Sequence, residues 1–283
     1  MSPNLRKRLA VAGVGIPLCA LLTYAGGYVF AAGLGVVAAV GYREFAGMMR
    51  GAGTRALVVP GSIAAFLFPP VVLAAGFEGA ALLATGLVPG FAALALATID
   101  LEDRPIRSAA VTTFGALYVG GLLAFGVPLR EGWVLLPQGG GGGGRIPGTL
   151  LFFLPVALTW IADTAAYAGG RTFGKRPLAP RVSPNKTIAG AVCALLGSVA
   201  VAVLYPRFLL PDAWTLGLPR TLAFGLVVGV LAILGDLAES ALKRECGVKD
   251  SSRLLPGHGG MLDRLDSVLW ALPAALLFLA FAA

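Results

Sequence analysis

Nine runs of mostly apolar residues follow one another along this chain: 9–25, 27–48, 57–75, 79–98, 108–127, 149–169, 187–205, 219–239 and 263–282. A helix needs ~20 such residues to cross the hydrocarbon of a bilayer. The repetition leaves one fold class open: an all-α, polytopic membrane helical bundle of about nine transmembrane helices. Composition agrees. The chain is 57% hydrophobic and 13% charged, whereas soluble domains carry about 25% charged residues. Gly26-Gly27 is all that separates the first two runs. Pro60, Pro69-Pro70, Pro89, Pro155 and Pro273 fall in or near runs, where they can kink a helix.

Loop charge tests the count. With the N-terminus and the connections after runs 2, 4, 6 and 8 on one side, that side holds 18 of the 22 Lys and Arg residues. The other side holds Arg130, Arg145, Arg207 and Arg220. Cytoplasmic loops are enriched in Lys and Arg, so the expectation is nine spans with the N-terminus in the cytoplasm. The net charge of +8 is then a matter of loop topology and anionic lipid headgroups. The loops are too short for a nucleic-acid module, and no nucleic-acid partner is expected. Arg6, Lys7 and Arg8 before the first run resemble a signal peptide, but no cleavage site of small residues follows. The lipoprotein pattern also fails at Cys19, preceded by Pro17 and Leu18. An uncleaved first span is expected. Cys19, Cys193 and Cys246 are too scattered for a zinc site or a disulfide framework. Six glycines at 139–144 lack the Gly-Lys-Ser/Thr of a phosphate loop and read as a flexible external linker.

Two polar clusters interrupt the grease, both on the expected cytoplasmic face. In the first, Asp163 and Tyr167 stand one turn apart near the end of run 6. Arg171, Lys175 and Arg176 follow, then Ser183-Pro184-Asn185-Lys186-Thr187. Ordinary cytoplasmic decoration explains these cations but not Asp163. Ser183 to Lys186 also fits the Ser-x-x-Lys pattern of penicillin-binding enzymes. The companion Lys-Thr-Gly is absent, however, because Ile188 follows Thr187, and a serine acyl-enzyme is rejected.

The second cluster holds five Lys/Arg, four Asp/Glu and the single histidine between Ser240 and Ser267. Asp236, Glu239, Ser240 and Lys243 share one helical face, and Asp263, Asp266 and Ser267 repeat that spacing at the start of run 9. Carboxylates at membrane depth usually mark function. An oxygen-only donor set favours Mg²⁺ over zinc or iron. Cations around it (Lys243, Arg244, Lys249, Arg253, Arg264) suit a polyphosphate. The plainer alternative is salt bridging, Arg264 with Asp263 or Asp266 and Lys243 with Glu239. Pro256-Gly257-His258-Gly259-Gly260 is either a tight turn or a place where backbone amides approach a ligand.

Together the clusters resemble the phosphatidate cytidylyltransferase family, also called CDP-diacylglycerol synthases. The resemblance rests on Ser240, Lys243-Arg244, Lys249-Asp250, Pro256 to Gly260, Asp263-Arg264 and Asp266. Upstream it rests on Asp163-Thr164, Tyr167, Gly170-Arg171, Phe173-Gly174-Lys175 and Ser183-Pro184 with Lys186-Thr187. It covers roughly the last 125 residues. One position departs: Ala189 stands where the family usually has Glu. The resemblance implies that CTP and phosphatidic acid give CDP-diacylglycerol and pyrophosphate, in phospholipid biosynthesis. It implies a divalent cation on Asp236 and Asp263, with Asp266 and Asp163 as second choices, and leaves room for a second, monovalent cation such as K⁺. Asp236, Asp263, Asp266, Lys243, Arg264 and His258 are then the expected catalytic groups. Asp163, Tyr167, Arg171, Lys175, Ser183, Lys186, Thr187, Ser240, Arg244, Lys249, Asp250, Gly259 and Gly260 are expected to bind substrate.

Residues 1–148 then form an N-terminal region of spans 1–5, and 149–283 a catalytic region of spans 6–9. The expected molecule is an integral, multi-pass membrane protein with its site on the cytoplasmic side, in contact with membrane lipids. The rival readings are a CTP-dependent polyprenol or lipid kinase, and a transporter using intramembrane carboxylates. A CDP-alcohol phosphotransferase is disfavoured, since its Asp-Gly and Ala-Arg run is missing. Gly225-x-x-x-Gly229 and Gly86-x-x-x-Gly90 can pack helices within the chain or across a homodimer.

Overall fold

The computed structural model describes residues 3–134, 145–257 and 259–282. Eight helices carry the chain: α1 (Pro3–Ala25), α2 (Gly27–Gly51), α3 (Val58–Thr98), α4 (Pro105–Glu131), α5 (Arg145–Phe173), α6 (Ile188–Leu209), α7 (Leu218–Glu245) and α8 (Leu262–Ala282). Among the described residues, seven helices are long and apolar enough to cross a membrane, α2 through α8. The protein is a polytopic helical membrane protein. The expected nine spans are not reached as nine separate helices, because runs 57–75 and 79–98 form the single 41-residue element α3. That element is broken at Gly76, whose φ of 63° is left-handed. Glycine adopts this angle without the Cβ penalty of other residues, so the break falls between the two expected runs. The six-glycine linker lies outside the described residues.

One element was not expected from sequence. Within the basic segment after α5, β1 (Pro177–Ala179) pairs antiparallel with β2 (Ser183–Thr187). Both strands are short and at least partly exposed. They bury no alternate face, so they carry no period-two pattern to read.

The chain divides into two compact units, Met1–Val127 with Lys243–Leu265, and Pro128–Leu242 with Asp266–Ala283. In the first, α3 packs against α2 and α4. Tyr42 and Phe45 fill this core and are almost wholly buried. Their rings occupy the space left by Gly61 and Gly115, where any Cβ would overlap them. The Tyr42 hydroxyl donates to the Leu57 carbonyl at 3.1 Å, and the Leu57 amide donates to Thr112 Oγ1 at 2.9 Å. These bonds join the start of α3 to its neighbours.

In the second unit, α5 and α6 meet along small residues. Gly169 sits against Cys193, and Gly190 lies under the Ala166 carbonyl. Helix α7 approaches α6 in the same way. A Cβ on Gly225 would come within 2.8 Å of Val199 Cα, and one on Gly229 within 2.7 Å of Ser198 Oγ. That glycine pair therefore packs helices within the chain. At Gly235 the α7 backbone also comes close to the Asp266 carbonyl and the Trp270 ring of α8. Small residues let helices approach where hydrocarbon offers no hydrophobic drive. Here they fix the backbone beside Asp236.

Candidate functional site

A cavity of about 600 Å³ opens in the second unit, between α5, the β-hairpin, α6 and α7. Its apolar lining includes Ala162, Ala166, Ala194, Ala232 and Ile233. Its polar wall carries Asp163, Tyr167 and Arg171 from α5, Ser183, Lys186 and Thr187 from the hairpin, and Asp236 from α7. The side chains are set locally. Asp163, Tyr167 and Arg171 repeat every fourth residue and so share one face of α5. Arg171 donates to the Tyr167 hydroxyl at 3.1 Å. Thr187 ends β2 and caps α6, its Oγ1 accepting from the Gly190 amide at 3.1 Å. Serine and threonine at this position satisfy an otherwise orphaned helix donor. Gly174 lies against the Gly170 carbonyl and the Thr187 side chain, where a Cβ would collide.

Lys186 forms an ion pair with Asp236, each side chain about a quarter exposed. Both side chains line the cavity, and the Lys186 Nζ atom itself is buried. Ser240 lies one turn on, its Oγ 3.5 Å from Asp236 Oδ1. The cavity thus combines two carboxylates, a lysine, an arginine and three hydroxyls with an apolar lining.

The chain's other polar cluster lies in the first unit and is built differently. Asp263, 8% exposed, accepts four hydrogen bonds. Lys243 Nζ donates to its Oδ1 at 2.8 Å. The Ser251 amide, the Ser251 hydroxyl and the Gly260 amide donate to Oδ2 at 2.8–2.9 Å. Lys243 and Asp263 thus form an ion pair, each side chain little exposed. His258 lies outside the described residues. Around it the Leu255 amide donates to the Gly259 carbonyl at 2.8 Å, and Gly257 and Gly259 have φ of 80° and 81°.

Sequence reasoning missed Glu44. This residue sits on α2, 8% exposed. Its Oε1 accepts from the Ser252 hydroxyl at 2.6 Å and the Met261 amide at 2.9 Å. Its Oε2 accepts from the Ser251 hydroxyl at 3.1 Å and the Leu262 amide at 2.8 Å. The available signal was a carboxylate inside an apolar run, but nothing local to residue 44 points to partners more than 200 positions away.

The remaining expected residues are placed as follows. Lys175 is exposed and does not line the cavity. Arg244, Lys249, Asp250 and Arg264 are exposed in the first unit, with Arg244 donating to the Val248 carbonyl at 3.1 Å. Asp266 belongs to the second unit and accepts from the Ser267 amide at 2.6 Å. Cys246 is buried, and burial together with the nearby Glu245 charge raises its thiol pKa. That is the profile of an inert thiol.

Among the described residues, no three His, Cys, Asp or Glu side chains gather into a metal-holding group. The cavity supplies two carboxylates, Asp163 and Asp236. This donor set fits magnesium, which keeps several waters and completes its shell with substrate phosphate rather than with a full protein cage.

Residues 6–282 match the model of the cytidylyltransferase family. A chloroplast protein of Arabidopsis thaliana named phosphatidate cytidylyltransferase 4 is 33% identical over 292 residues, covering 94% of this chain and 71% of that protein. A Synechocystis protein named phosphatidate cytidylyltransferase is 31% identical over 295 residues, covering 96% of this chain and 95% of its own length. A protein of the same name from Brucella suis is 47% identical over 135 residues, 46% of each chain.

Proposed function

Because the chain belongs to the cytidylyltransferase family, we propose that it is a membrane nucleotidyltransferase that joins CTP and phosphatidic acid into CDP-diacylglycerol. The observation that carries this reading is the cavity where Asp163, Lys186 and Asp236 meet beside an apolar lining. A polyphosphate needs cations and metal-holding carboxylates, and a diacyl lipid needs apolar surface. One cavity offers both.

The phosphate monoester oxygen of phosphatidic acid attacks the α-phosphorus of CTP. A new P–O bond forms, the bond between the α-phosphorus and the bridging oxygen breaks, and pyrophosphate leaves with that electron pair. The nucleophile is already ionised at neutral pH, so no strong base is required. Such transfers depend on positioning and charge neutralisation more than on covalent help from the protein. Lys186 and Arg171 neutralise phosphate charge. Ser183, Thr187 and Tyr167 are within the same wall to orient phosphate oxygens. Asp163 and Asp236 would hold Mg²⁺, which supplies Lewis-acid stabilisation of the developing charge. A monovalent cation such as K⁺ is part of the proposal as a second, charge-balancing ion. Asp263, with four donors on its two oxygens, shapes the 251–262 segment in this reading rather than serving as a first choice for the metal.

The site is proposed to face the cytoplasm, supported by the 18 Lys and Arg residues assigned to that side. Labelling of single cysteines at the exposed positions Lys175 and Lys249 tests this; labelling from opposite sides of the membrane would break the assignment. The reaction is tested with labelled CTP and phosphatidic acid in detergent, with and without Mg²⁺, and in K⁺ against choline salts. A CMP-containing lipid and released pyrophosphate are expected. A phosphorylated lipid would indicate a kinase instead, and no chemistry would leave a transporter.

A further inference from the structure

We propose that Glu44 is a positioning residue for this reaction, acting as an acceptor-only clamp on the segment that leads into α8. The inference rests on the cytidylyltransferase reading for its effect on turnover, but the clamp itself rests on hydrogen-bond chemistry.

Four donors face the Glu44 carboxylate, from Ser251, Ser252, Met261 and Leu262, the single Ser251 hydroxyl hydrogen being shared with Asp263 Oδ2. Two are hydroxyls, which can rotate to serve as acceptors. The other two are backbone amides, which cannot. The Met261 amide faces Oε1 at 2.9 Å and the Leu262 amide faces Oε2 at 2.8 Å. Each carboxylate oxygen therefore meets a fixed N–H donor. Ionised Glu accepts at both oxygens, whereas Gln accepts at one end and donates at the other. Whichever way a glutamine amide is turned, its NH₂ points at a backbone N–H. The isosteric substitution is consequently no substitute at this site.

The clamp has a second jaw. Asp263 holds Ser251 and the Gly260 amide from the other side. Gly260 lies between the jaws: a Cβ there would come within 2.5 Å of Glu44 Oε2 and would collide with Ser251 Oγ. Glu44 and Asp263 thus satisfy three consecutive backbone amides, 260 to 262, at the entry of α8. The Met261 and Leu262 amides are among the donors that an α-helix leaves without an internal partner. Asp263 in turn holds Lys243. Through the shared segment, a carboxylate on α2 sets the start of α8, whose Asp266 carbonyl and Trp270 ring lie against Gly235, the residue before Asp236, without itself being a catalytic residue.

The experiment uses the full chain in detergent, as wild type, Glu44→Gln, Glu44→Ala, Ser252→Ala and the Glu44→Ala/Ser252→Ala double variant. Amide hydrogen exchange over residues 259–262 reports the clamp, and kcat and KM for CTP report its consequence. Glu44→Gln and Glu44→Ala are both expected to speed exchange in that segment at least tenfold and to lower kcat at least tenfold, with KM for CTP within threefold. Ser252→Ala, which removes one donor, should give a smaller effect alone and none in the Glu44→Ala background. Exchange unchanged in Glu44→Gln would overturn the acceptor-only clamp. Faster exchange with unchanged kcat in both Glu44 variants would overturn the positioning role. Additive effects of Glu44→Ala and Ser252→Ala would also overturn the clamp, since residues that act through one hydrogen bond are non-additive. Should either Glu44 variant fail to fold, Ser252→Ala alone decides: faster exchange at 259–262 supports the clamp and unchanged exchange overturns it. Inactive wild-type protein with the exchange pattern intact would refute the proposed reaction and leave the clamp standing.

Discussion

Asp236 and Asp263 look alike in sequence: each opens an i, i+3, i+4 face with a hydroxyl at the end. Their surroundings differ sharply. Asp236 faces a cavity, a quarter exposed, with the one lysine Lys186 beside it and a serine at the limit of reach. Asp263 is buried and accepts from a lysine, two backbone amides and a hydroxyl. In the proposed reading, the contrast separates a carboxylate kept for a ligand from one kept for the fold. Donors from flexible cations can be exchanged for a ligand. Backbone donors cannot be exchanged without moving the chain, and a buried polar group left without a partner is costly.

The strongest way to break this contrast is Asp236→Asn. Losing the anionic group that is proposed to hold metal and that balances Lys186 should cut kcat at least a thousandfold, about 4 kcal/mol in the barrier, with the melting temperature in detergent near that of wild type. Normal specific activity would remove Asp236 from the reaction. Next comes Asp263→Asn, which keeps acceptors for the amides but loses the ion pair to Lys243, whose side chain is 13% exposed. Breaking a buried pair on one side costs about 3 kcal/mol, so a clear drop in thermal stability should accompany reduced turnover. Loss of activity with unchanged stability would place Asp263 with Asp236, as a ligand-holding group. Lys186→Met sharpens the cavity side: a fall of tens of fold in kcat/KM for CTP is expected, and an unchanged value would make its pairing with Asp236 a structural contact only. Smallest is Arg55→Ala, which removes an exposed pair with Asp103 outside both regions. Its cost should stay below ~1 kcal/mol, and a larger loss by thermal melting would mean that exposed charge matters here more than the contrast allows.

Much of the fold was open to reading because hydrocarbon imposes length. Each apolar run found a helix, and even the boundary between runs 57–75 and 79–98 reappears as the break at Gly76. The π-turn at Leu117–Gly121 within α4 left no such trace, since it changes backbone pairing without changing hydropathy. At the site, the residue types and their local faces were legible: Asp163 with Tyr167, and Asp236 with Ser240. Their assembly was not. The resemblance places Lys186 among the substrate-binding residues, but its partner Asp236 lies 50 positions away on another helix. The hairpin that presents Lys186 has no pattern of its own. Glu44 was overlooked because a carboxylate's value as a clamp depends on amides that only the folded chain brings to it.

The Glu44 contacts also set a schedule for making the protein. Ser251 and Leu262 lie 207 and 218 residues after Glu44. Ribosomes add about 5–20 residues per second, so the nascent α2 must wait on the order of ten to forty seconds before its partners are synthesised. Throughout that interval an apolar helix carries a carboxyl group with nothing from the finished structure to receive it. Such contacts of high sequence separation form late. A chain halted before residue 251 would keep α2 in this unfinished condition, as a natural target for membrane quality control.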